Sequence, residues 1–113
     1  MNKNQKLPIL YREKINYLVE LLKKLDPDRI ILFGSVTAGK IRPDSDIDLC
    51  VLKETEKPWK VKEKIWDLLW DSSYDWQIEP DIKVYSPSIY YDWLRRNDPF
   101  IEEVEKGEVL YER

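Results

Sequence analysis

Tyr11, Ile15, Leu18, Leu22 and Leu25 recur three or four residues apart, the spacing that lines one face of an α-helix. A helix is predicted from about Pro8 to Leu25. It should stop before Asp26-Pro27, because a residue ahead of proline resists helical backbone angles. The pattern then changes. Arg29 to Phe33 is a short apolar run rich in β-branched residues and closed by Gly34, which reads as a buried strand. Val36 to Lys40 reads as a short helix or helical turn, and Arg42-Pro43-Asp44-Ser45 as a loop. Asp46 to Leu52 reads as a second strand. Its Ile47, Leu49 and Val51 face the core, and Asp46 and Asp48 project from the opposite face.

A charged connection runs from Lys53 to Lys57. Pro58 suits the first turn of a helix, where its missing N–H costs nothing. That helix continues to about Asp71. Ser72 to Pro80 is irregular. Asp81 to Tyr85 reads as a third strand and Pro87 to Arg96 as a helix broken by Asn97-Asp98-Pro99. Phe100 to Lys106 is a last short helix capped by Gly107, and Glu108 to Tyr111 is extended. The predicted order is α-β-α-β-α-β-α, an α/β (α+β) fold with a small sheet covered by helices. No repeat or linker interrupts it, so residues 1–113 read as one domain with one core.

Composition narrows the chemistry. Charged residues make up 36% of the chain, but the net charge is only -3 with acids and bases mixed. No strong basic field exists to hold an extended nucleic acid. No apolar run approaches a membrane span, and the polar start (Met1 to Lys6) does not read as a signal peptide. Cys50 is the sole cysteine, so no internal disulfide forms, which fits a cytoplasmic protein. Histidine is absent. This excludes histidine-based catalysis and metal ligation. Catalysis must draw on carboxylates, lysine, tyrosine or metal.

Asp46 and Asp48 can chelate one hard cation or bridge two, and magnesium prefers one or two protein carboxylates plus phosphate oxygens and water. Gly34 lets the backbone pass close to a ligand. Ser35 can offer its N–H and hydroxyl to a phosphate at the start of a helical turn. Asp81 opens the third strand and reaches the same end as Asp48 if the two strands are neighbours; Glu79 is the rival if the register shifts by two. Each feature has a plainer reading: a solvated strand end, Ser35 as an N-cap, and an exposed edge strand. Their joint occurrence at this spacing, each flanked by an apolar β run, favours a phosphate and metal site.

Gly34-Ser35, ten intervening residues and Asp46-Ile47-Asp48 resemble the signature of the nucleotidyltransferase superfamily that includes DNA polymerase beta. The chain as a whole is similar to the minimal nucleotidyltransferases, and Pro99 to Tyr111 resembles that family's ending. The resemblance implies a mixed three-stranded sheet, triphosphate binding at Gly34 and Ser35, and magnesium held by Asp46, Asp48 and Asp81. It implies attack of an acceptor hydroxyl on the α-phosphorus of a nucleoside triphosphate, with ATP as donor, two magnesium ions and release of pyrophosphate. Many relatives carry arginine where this chain has Ala38; Lys40 or Arg42 can supply the missing charge from the same loop.

The resemblance also implies a partner. Minimal nucleotidyltransferases often act with a small HEPN-domain protein in toxin–antitoxin pairs, where AMP is attached to a tyrosine of the toxin. The alternatives are a small-molecule acceptor, for which a chain this short is not expected to build a pocket alone, and an inactive antitoxin acting by steric contact. The acceptor site is then expected from a HEPN-domain partner or a homo-oligomer. Trp59, Trp66 and Trp70 fall on a different face of their helix from Val61, Ile65, Leu68 and Leu69. That second face is expected to meet another element of the chain or a partner.

Overall fold

The computed structural model describes residues 8–37 and 45–113. Helix α1 (Ile9–Leu22) buries Tyr11, Ile15, Leu18, Val19, Leu21 and Leu22. It tightens into a 3-10 turn over Lys23–Leu25 and ends at Asp26, whose angles are left-handed (φ 53°, ψ 59°). Pro27 disfavours the right-handed helical region at Asp26, and a short polar side chain tolerates the left-handed one. Then follow β1 (Arg29–Phe33), β2 (Ile47–Leu52), α2 (Pro58–Asp71), β3 (Pro80–Tyr85), α3 (Pro87–Arg95), α4 (Pro99–Glu105) and β4 (Glu108–Glu112). Helix α4 is capped by Asp98, whose carboxylate accepts from the Ile101 N–H at 3.0 Å.

The strands form one mixed sheet in the order β3-β2-β1-β4. Strand β1 runs antiparallel to both β2 and β4, while β2 and β3 are parallel. A parallel pair needs a long crossover, which α2 provides. The expected sheet had three strands; the extended segment after Gly107 adds a fourth. The physical reason lies in β1. It is buried on both faces, so its outer edge must find backbone partners. Between β1 and β2, residues 35–37 form a turn. The remainder of the expected helix and loop, with Ala38, Lys40 and Arg42, lies outside the described residues.

The sheet divides the core in two. On one face Ile30, Leu32, Ile47, Leu49, Val51 and Ile82 pack against α1 and α2 through residues such as Leu18, Leu22, Ile65 and Leu69. On the other, Ile31, Phe33, Cys50 and Leu52 pack against Tyr90, Ile101 and Val104 of α3 and α4. Ile47, Leu49 and Val51 face the core as predicted. The opposite face of β2, read as the polar side, is also core from Cys50 onward.

Candidate active site

The site forms where the second core stops. Asp48 stands on the α3–α4 face of β2, ahead of Cys50 and Leu52, at the end those helices leave uncovered. Parallel pairing sets Asp48 directly beside Asp81 on β3. Register partners in a sheet share a face and lie roughly 4.8 Å apart in the hydrogen-bonding direction. Asp46 immediately precedes β2 and is exposed. Its approach is tied down on both sides. The Tyr11 hydroxyl donates to the Ser45 carbonyl at 2.8 Å, and the Ile47 N–H donates to the Glu79 carbonyl at 3.0 Å.

Gly34 closes the site from β1. Phe33 is the antiparallel partner of Asp48, so the next residue passes over the Asp48 side chain. Gly34 has a φ of +83°, and a Cβ there would strike the Asp48 carboxylate. Glycine is required twice over: for the left-handed backbone and for the close approach. Ser35 follows, half-buried, at the start of the turn, and the Thr37 hydroxyl locks that turn by donating to the Gly34 carbonyl at 2.9 Å. The described part of this segment is a turn, not a helix, so any phosphate contact from Ser35 rests on the turn amides and the hydroxyl.

Electrostatics distinguish Asp48 from ordinary surface carboxylates. Burial raises its pKa first, and the charges of Asp81 and Asp46 raise it further; Lys83 offsets part of this, leaving Asp48 at about 6. This is the response of a carboxylate crowded by like charge and partly stripped of water. Lys83 lies two residues beyond Asp81 on the same strand face and pairs with it at 3.4 Å. Cys50, deeper on the face of Asp48, is a fully buried thiol pushed up to about 12 by burial, and so is inert.

The predicted residues lie at one end of the sheet, but Asp46, Asp48 and Asp81 do not close into a three-carboxylate cluster. Gly34, Asp46, Asp48 and Asp81 share one end of the sheet, with Ser35 adjoining; Glu79 flanks them, exposed, just ahead of β3. Lys40 lies outside the described residues. Among the described residues no three acidic or cysteine side chains gather closely enough to hold a metal ion alone. Magnesium does not require that, since phosphate oxygens and water complete its octahedron. The donors are hard oxygens, and Asp48 is the group whose charge a cation would relieve. On these grounds the residues fit magnesium.

Two neighbours escaped the sequence reading. Lys83 was legible in principle, because strand alternation puts it on the side of Asp81. Trp76 was not, because it sits in the segment without a period. It stacks on Trp66 (centroids 5.7 Å apart, 13° between planes) and on Trp70 (5.1 Å, 28°). With Asp46, Glu79, Pro80 and Asp81, these rings line a cavity of about 590 Å³. The chain thus forms an open cavity beside the carboxylates. The face expected for Trp59, Trp66 and Trp70 divides: Trp59, 59% exposed, borders a separate groove with Lys62, Lys83 and Tyr85.

The family model of the nucleotidyltransferase domain matches residues 12–108, and the chain belongs to that family. The matched span includes Gly34, Ser35, Asp46, Asp48 and Asp81. No curated protein matches the chain. No helix among the described residues is long and apolar enough to cross a membrane.

Proposed function

We propose that this nucleotidyltransferase-family chain transfers AMP from ATP to a hydroxyl of a second protein, with magnesium at Asp46, Asp48 and Asp81. The acceptor in this reading is a tyrosine of a HEPN-domain partner, and the transfer silences that partner as an antitoxin would. The observation that carries the reaction is the register of Asp48 beside Asp81, with Gly34 folded onto the Asp48 carboxylate.

In this reading Gly34 and the turn at Ser35 admit the triphosphate close to the backbone. Asp46 and Asp48 hold magnesium, which when bound neutralises triphosphate charge and favours the acceptor alkoxide. The acceptor oxygen attacks the α-phosphorus. A new phosphorus–oxygen bond forms as the bond to the bridging oxygen breaks, and pyrophosphate leaves. Asp81 takes the acceptor proton, with Lys83 beside it to balance the charge.

The test is incubation of the protein with α-labelled ATP, magnesium and the co-purified partner. Label should appear on a partner tyrosine. Asp48→Asn and Asp81→Asn should each slow transfer by about 100-fold or more. Unlabelled partner with intact ATP would sink the reading, and label on a small molecule instead would redirect it to another acceptor.

A further inference from the structure

Three indoles stacked beside two site carboxylates form a surface with a definite preference. Trp70 is 72% exposed although it belongs to α2; it stacks on Trp76, and with Trp66 and Trp76 it lines the cavity. The face of an indole ring is electron-rich and attracts cations. The polar lining is also negative: Asp46, Glu79 and Asp81, with no cationic side chain among the described lining residues. A triphosphate is repelled from such a place. An ammonium or guanidinium group is drawn to it by ring faces and carboxylates together.

The chain already uses this recognition on itself. Lys14 places its Nζ 5.2 Å from the Tyr74 ring centroid and 3.7 Å from the Asp75 carboxylate. Tyr74 in turn packs edge-on against Trp76, at 5.2 Å between centroids. One cation thus sits against the same aromatic cluster. The cavity is larger than a lone side chain needs and lies against Asp46 and Asp81.

We infer that this cavity seats an arginine or lysine side chain of the protein segment that presents the acceptor hydroxyl. The basic side chain lies against the tryptophans and Glu79, and the neighbouring hydroxyl side chain reaches the carboxylates. Glu79 is the acid left to the cavity when Asp46 and Asp81 are engaged with magnesium. The exposed ring of Trp70 is the part of the wall that a protein segment covers, and tryptophan and arginine are both enriched at interface hot spots. The inference rests on the proposed transfer to a protein hydroxyl, and it defines the acceptor sequence as a hydroxyl residue with a basic neighbour.

Binding is measured by tryptophan fluorescence on the intact protein without ATP or magnesium. The probes are a tyrosine peptide with flanking arginines and its counterpart with flanking glutamates. The arginine peptide should quench and the glutamate peptide should not. Trp70→Ala should weaken the arginine peptide about 10-fold, and Glu79→Gln should weaken it while making it less sensitive to salt. In transfer assays Trp70→Ala should raise KM for the acceptor and leave kcat and the KM for ATP unchanged.

Equal binding of both peptides, or unchanged affinity in Trp70→Ala, overturns the inference. So does equal binding of free arginine, which would make this a small-cation site. A Trp70-dependent quench by ATP alone would assign the rings to the donor base and also overturn it. If the peptide binds as expected but no transfer occurs, the reaction fails and the cavity assignment stands.

Discussion

Strand β2 has two characters on one face. Asp48 faces the open end of the sheet, where a raised pKa marks a charge the fold accommodates badly. Cys50 and Leu52 follow on the same side and vanish beneath α3 and α4. The backbone is regular throughout. The difference lies in what covers it: the two helices shield the far half of the face and leave the near half for chemistry. One strand thus supplies both stability and a destabilised site, and substitutions along it should act with opposite sign.

The sharpest contrast comes from the buried end. Leu52→Ala should destabilise the protein by about 2–5 kcal/mol, read as a fall in the denaturation midpoint, because a cavity opens under α3 and α4. If Leu52→Ala costs no more than a surface substitution, β2 is not divided in this way. Next comes the boundary. Gly34→Ala should cost roughly 1–3 kcal/mol for the left-handed backbone and should also displace Asp48. Transfer activity should then fall further than the loss of folded protein explains.

At the open end the sign reverses. Asp48 has a folded pKa of about 6, above its ordinary 3.8. Its protonated form favours the folded state, so this contribution is complete below about 3.8 and is lost as pH rises through 6. Asp48→Asn removes the loss. Discounted for its partial exposure, the variant should be more stable without metal by about 1 kcal/mol above pH 6 and equal to wild type near pH 4. The check is a pair of melting curves across that range. A stability difference that does not change with pH would show that Asp48 carries no such strain. The smallest effect belongs to Trp70→Ala, which should leave stability within about 0.5 kcal/mol, because its ring contributes exposed wall, not core.

Helix α1 was readable from apolar spacing because it buries one periodic face, β1 from a short β-branched run that is buried on both faces, and the later helices from the prolines that open them. The joint placement of Gly34, Asp46, Asp48 and Asp81 was readable because strand alternation and parallel pairing follow simple geometry. The fourth strand was readable only as extended chain; its pairing depends on the open edge of β1, which no local pattern encodes. The burial of Cys50 and Leu52 was hidden for a related reason. Alternation tells which residues share a face, and only tertiary packing tells where its cover ends. Trp76 was hidden because its position comes from the loop after α2. There the Ser72 and Asp75 side chains accept backbone N–H groups from Tyr74 and Gln77.

The register of Asp48 against Asp81 has a mechanical side. Two like charges sit on adjacent strands joined by a backbone ladder, so they push apart the seam that aligns them. Whatever cancels one of those charges also tightens the seam, and slower amide exchange at Ile47 and Leu49 would report it. Ligand capture and sheet cohesion are then a single event, felt along β2 as far as its buried end.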